Sequence, residues 1–113
     1  METEEPWKTI FDQEIENAQA ARSSGNEGKA RVCARRAAGV VAREYFARRN
    51  ERYHSRSAYQ NLQTLRDHPD TPESVKQITA HFLERITEEH ELPSDADLIV
   101  AARQLAVELL DGF

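Results

Sequence analysis

Two segments of the chain place a histidine five residues after an arginine. The first pairs Arg49 with His54, and the second pairs Arg85 with His90. In such a pair the imidazole could act as general base on a ribose 2′-hydroxyl, while the guanidinium stabilises the charge that builds up on the phosphate. With 12 arginines and 4 histidines in 113 residues, about one such pair is expected by chance over three neighbouring spacings. The two pairs are therefore weak candidates for the catalytic residues of a metal-independent ribonuclease, and the balance favours a protein that is not an enzyme.

Motifs of higher chemical specificity are absent from the sequence. It has no glycine-rich phosphate loop, no cysteine or histidine pairs at zinc spacing and no Gly-x-Ser-x-Gly turn. Glu51 and His54 have the spacing used in di-iron bundles, but such a site needs a second pair and further glutamates. We expect the lone Cys33 to be a packed side chain and His81 to be structural. The sequence therefore predicts neither a metal nor a cofactor.

Basic residues are concentrated in one stretch of the chain. Between positions 29 and 56, nine basic residues stand against two glutamates, a net charge of +7, so the rest of the chain carries −12 to give the overall −5. On a helical wheel the arginines of this stretch form two rows, with Val32, Gly39 and Phe46 between them. The predicted ligand-binding residues are Arg31, Arg35, Arg36, Arg43 and Arg49.

The apolar residues between the arginines indicate that this face meets another helix, a second copy of the chain or a ligand. In the simplest interpretation the arginines pair with acidic helices of the same bundle or lie in water. Alternatively, the guanidinium groups bind phosphates, whose oxygens suit their forked geometry. A third interpretation is that the basic helix docks on an acidic protein surface.

The helices that position these residues follow from apolar periodicity and from capping signals. A first amphipathic helix is predicted from Pro6 to Ser24, with its apolar residues at helical spacing. Asn26 is the predicted N-cap of a long second helix that ends near Arg49 and carries a stripe of mostly small residues. The starts of the three later helices are marked by the capping box Ser57 with Gln60, by Thr71 before Pro72 and by the capping box Ser94 with Asp97. Their ends include His68 before Pro69 and Gly112.

Together these signals predict an all-α fold, an antiparallel bundle of four long helices plus one short helix, with residues 1–113 as a single domain. No apolar run approaches the roughly 20 residues that cross a bilayer, and the first residues are acidic where a secretory signal would be basic. We therefore expect a cytoplasmic protein without a membrane partner.

The order of the helices, with the run Gly-Asn-Glu-Gly-Lys-Ala-Arg-Val-Cys-Ala-Arg-Arg-Ala-Ala-Gly from Gly25 to Gly39 opening the second, resembles HEPN-like domains (higher eukaryotes and prokaryotes nucleotide-binding). The resemblance implies a helical bundle that is often a dimer. Many members are RNA-cleaving toxins whose arginine and histidine meet across the dimer, and others bind nucleotides or protein partners without catalysis.

The two arginine–histidine pairs each depart from the pattern of the active HEPN-like members. There a polar residue commonly follows the arginine, and the motif lies near the last helix. Arg49 is followed by the polar Asn50 but comes after the second helix, whereas Arg85 lies near the last helix but is followed by Ile86.

The leading hypothesis is therefore a non-catalytic HEPN-like binding or interaction module, a homodimer that binds a protein or a nucleotide through its basic second helix. The alternatives are a ribonuclease of the same superfamily, which would bind nucleic acid, and a structural subunit on an acidic protein partner.

Overall fold

The computed structural model describes residues 6–51, 57–83 and 97–110, and these residues form five helices and no strand. The helices are α1 (Pro6–Ser23), α2 (Glu27–Arg48), α3 (Ala58–Asp67), α4 (Glu73–Leu83) and α5 (Leu98–Leu110). The all-α class is confirmed.

The division into four long helices and one short helix is not confirmed. In the described residues α1 and α2 have 18 and 22 residues, whereas α3, α4 and α5 have 10, 11 and 13. Ser94 and Gly112, the predicted start and end of the last helix, lie outside the described residues.

Side-chain caps fix three of the helix starts. Asn26 accepts a hydrogen bond from the backbone N–H of Lys29, and Ser57 accepts one from that of Gln60, so both predicted caps are confirmed. The start of α5 differs from the prediction. Asp97 itself is the N-cap, because its Oδ1 accepts from the backbone N–H groups of the second and third helical residues and its carbonyl accepts the first helical bond.

The core is built around α2, which contacts α1, α3 and α5, while α4 packs on α3 and α5. One cluster of buried apolar side chains draws on all five helices. On α2 most of the buried residues are alanines, which allow neighbouring helices to approach closely, and Cys33 is buried among them as predicted. Ile10, one of the apolar residues whose helical spacing predicts α1, is 50% exposed rather than buried.

The closest approach concerns Gly39 of α2 and Ala58 of α3. A Cβ atom placed on Gly39 would lie 2.5 Å from the Cβ and 2.8 Å from the Cα of Ala58. Glycine therefore lets the first turn of α3 lie directly against the middle of α2.

In the described part of the chain, no helix is long and apolar enough to span a membrane.

Candidate anion-binding cleft

The basic face of α2 is covered in its middle and open towards its start. Gly39 and Phe46 are buried, Gly39 against α3 and Phe46 in the core with its ring stacked on that of His68. Val32, which lies near the start of α2, is 41% exposed. The sequence predicts another helix, a second copy of the chain or a ligand against this face, and α3 is the helix that covers its middle.

A cleft of about 370 Å³ opens beside the contact between α2 and α3. Its α2 wall carries Arg35, Arg36 and Arg43, three of the five predicted ligand-binding residues. The opposite side is the start of α3, and α1 contributes Glu14. This volume lies within the range of roughly 300–1,000 Å³ that is typical of small-molecule sites.

Arg35 is held in place by contacts within the protein. Its Nε donates a hydrogen bond to the carbonyl oxygen of Phe82, at 3.2 Å, and its guanidinium lies over the ring of Tyr59, 5.8 Å from the centroid. Because Nε makes the contact with Phe82, the two terminal nitrogens remain as donors for another group.

Arg36 and Arg43 lie seven residues apart on the exposed side of α2. Neither makes a hydrogen bond or an ion pair within the residues that the structure describes. In the described structure these two arginines are therefore not paired with acidic helices of the bundle, and their exposure fits the other half of the simplest interpretation, in which the arginines lie in water.

The first turn of α3 adds to the positive potential of the cleft. Ser57 and the start of the helix line the cleft, and the backbone N–H groups of Ala58 and Tyr59 have no acceptor among the described residues. Unpaired N–H groups and the helix dipole make a helix N-terminus favourable for anions. The arginines and this helix start thus face the same space with the same sign of charge.

Glu14 is the one acidic residue that lines the cleft in the described structure. Its Oε1 is shielded from solvent and has no hydrogen-bond donor among the described residues. A buried acceptor without a donor costs free energy, and a rotation of the soft terminal torsion of Glu14 would let its carboxylate accept from a donor in the cleft.

Arg49 does not line the cleft and is already engaged by two carboxylates. Its Nη2 lies 2.7 Å from Asp70 and its Nε 2.9 Å from Glu51, and it lies over the ring of Tyr45. The hydrogen bond with Glu51 is the main reason why the pKa of Arg49 is raised. An anion would have to displace these partners, which makes Arg49 a poor ligand-binding residue.

The Arg49 contacts belong to a closed ring of interactions that sequence analysis missed. Glu51 lies 2.8 Å from Nε2 of His68, whose Nδ1 accepts the backbone N–H of Asp70. The proton of neutral His68 therefore resides on Nε2 and is donated to Glu51. The His68 hydrogen bond, followed by the Arg49 hydrogen bond, lowers the pKa of Glu51 against the opposing effect of burial. We call these four residues the clasp, which joins the end of α2 to the turn between α3 and α4.

Of the remaining predicted residues, the structure describes only Arg31. Arg31 is half-buried on α2 but does not line the cleft. His54, Arg85 and His90 lie outside the described residues, so the two arginine–histidine pairs stay sequence predictions.

Comparisons with models of known protein families, with curated proteins and with solved structures found no match. Membership of the HEPN-like superfamily therefore stays a prediction.

Proposed function

We propose that this protein is a non-catalytic binding module that holds the anionic group of a small ligand in the cleft between α2 and α3. The observation that carries the proposal is the convergence of Arg35, Arg36 and Arg43 on one small-molecule-sized space. The start of α3, where two backbone N–H groups have no acceptor among the described residues, borders the same space. Guanidinium groups bind phosphate oxygens through paired hydrogen bonds, so a phosphate-bearing ligand fits best.

Catalysis is less well supported than binding. The ribonuclease hypothesis needs an arginine that is available to the scissile phosphate, and in the first candidate pair Arg49 is instead engaged by Glu51 and Asp70. The second pair, Arg85 with His90, lies outside the described residues and stays an alternative. The proposal retains the HEPN-like bundle, its antiparallel arrangement, the homodimer and the cytoplasmic location as expectations. It places the ligand on the basic second helix.

The proposal is tested by titrating the protein with ethyl phosphate, followed by calorimetry and by amide chemical shifts. We expect the largest shifts at Ala58, Tyr59 and the α2 residues that line the cleft. The double variant Arg36→Gln/Arg43→Gln should weaken binding by about tenfold or more, because two charge-assisted contacts are lost. Arg103→Gln is the matched control, since Arg103 is an exposed arginine on α5 that does not line this cleft.

No saturable binding of ethyl phosphate, or equal loss in the Arg103 control, would reject the proposal. The same protein with labelled single-stranded RNA separates the alternatives. Cleavage that is lost in a His54→Ala or His90→Ala variant would favour the ribonuclease. Salt-sensitive capture of an acidic protein without phosphate binding would favour the structural subunit.

A further inference from the structure

The cleft is lined by three arginines and one glutamate, and these opposite charges limit which anions can bind there. Arg35, Arg36 and Arg43 attract a negative group, whereas Glu14 repels one on the α1 side. A ligand that carries negative charge along its whole length would gain from the arginines but lose against Glu14. The cleft therefore disfavours an extended polyanion.

Glu14 is also not used by the protein itself. None of the three arginines forms an ion pair with it, and its buried Oε1 has no donor among the described residues. Because the terminal torsion of a glutamate side chain is soft, either carboxylate oxygen can turn towards a donor in the cleft. The strongest available partner for this group is a cationic N–H donor.

We propose that the ligand is a small zwitterion, a phosphate ester that also bears an ammonium group. The phosphate lies on the arginines and the start of α3, and the ammonium donates to Glu14. This inference rests on the proposed function and adds the second recognition point. It gives Glu14 the role of a specificity-determining residue that selects between phosphate esters of similar size.

The test compares two ligands that differ mainly in the ammonium group, ethyl phosphate and phosphoethanolamine. At neutral pH phosphoethanolamine carries one negative charge less, so a cleft that responded to net charge alone would prefer ethyl phosphate. We expect the opposite order, with phosphoethanolamine about fivefold tighter, because the contact with Glu14 is charge-assisted.

Glu14→Gln keeps the shape of the side chain and removes its charge. In this variant phosphoethanolamine should bind more weakly, while ethyl phosphate should bind about twofold tighter because the repulsion is gone. These opposite changes distinguish recognition from structural damage, which would weaken both ligands. Glu16→Gln is the matched control, since Glu16 is exposed on α1 and does not line the cleft.

Equal affinity of the two ligands for the unmodified protein, or an unchanged ratio in Glu14→Gln, would overturn the inference while leaving the proposed function intact. Failure of both ligands to bind would instead reject the proposed function. Flotation with phosphatidylcholine vesicles, with and without phosphatidylethanolamine, shows whether the zwitterionic phosphate ester is a lipid headgroup or a soluble molecule. Flotation that depends on phosphatidylethanolamine and on Glu14 assigns it to a lipid headgroup, and its absence assigns it to a soluble ester.

Discussion

Replacing Gly39 by alanine tests the close approach of α2 and α3 that forms one side of the cleft. The new Cβ would lie 2.5 Å from the Cβ and 2.8 Å from the Cα of Ala58, whereas carbon atoms pack at about 3.5–4.0 Å. Since Cα is a backbone atom, no side-chain rotation relieves the contact. The start of α3 must therefore move away from α2 by about 1 Å.

Two opposing effects set the magnitude for Gly39→Ala. Overpacking of a core costs about 1–3 kcal/mol, and the backbone contact places this case at the upper end. Alanine gains up to about 1 kcal/mol over glycine in a helix interior. We expect a net loss of about 2 kcal/mol in the free energy of unfolding, which lowers Tm by about 8 °C for a domain of this size.

Urea denaturation followed by circular dichroism measures this loss, and Gly28→Ala provides the control. Gly28 lies on the same helix, but the nearest atom to its added Cβ is the Asn26 Oδ1 at 3.8 Å, which is an ordinary contact. Gly28→Ala should leave stability unchanged or raise it slightly. If Gly39→Ala were as stable as the unmodified protein, the packing of α3 on α2 and the shape of the cleft would both be refuted.

Three further predictions concern the cap of α5 and the clasp. Asp97→Ala should lower the free energy of unfolding by about 1 kcal/mol, measured in urea, because the N–H groups of Ile99 and Val100 lose their acceptor. The pKa of Glu51 is lowered from 4.5 in the folded protein, so its stabilising effect is present above the unfolded pKa and is lost as the pH falls through the folded pKa. Stability measured between pH 3 and 7 should thus decrease less steeply below about pH 4.5 in Glu51→Gln than in the unmodified protein. Arg49→Gln should lower Tm but leave the affinity for ethyl phosphate unchanged, because Arg49 lies in the clasp rather than in the cleft.

A specific result would contradict each of these three predictions. Asp12→Ala, at an exposed position on α1, should be neutral, and an equal loss there would remove the capping argument for Asp97. Parallel pH profiles of stability for Glu51→Gln and the unmodified protein would show that the clasp does not lower the pKa of Glu51. A tenfold loss of ethyl phosphate binding in Arg49→Gln would return Arg49 to the ligand site.

Local signals explain most of what the sequence predicted correctly. Asn26 and Ser57 each cap a helix through a residue three positions away, so the cap is readable from a few neighbouring letters. The predicted start of α5 is wrong because Ser94 and Asp97 are both good N-cap residues, three positions apart. Capping preference alone does not choose between them, whereas the bonds to Asp97 do.

The site was only partly predictable, because its geometry depends on contacts between distant residues. The helical wheel placed Arg35, Arg36 and Arg43 on the basic face of α2, but it could not show that α3 covers the middle of that face. Glu51 and His68 are 17 positions apart, and no local pattern pairs them. His68 before Pro69 predicts a helix end, which is confirmed. The contact of His68 with Glu51 depends on how the end of α2 meets the turn between α3 and α4, which no local pattern shows.

The anchoring of Arg35 by the Phe82 carbonyl has a consequence for the thermodynamics of binding. Immobilising a long side chain at an interface costs about 0.5–1.5 kcal/mol of rotamer entropy. Arg35 has lost much of that freedom on folding, whereas Arg36 and Arg43 lose theirs when the ligand arrives. The ligand therefore meets one guanidinium already oriented and must order the other two, so binding should be driven by enthalpy against an unfavourable entropy of the two arginines.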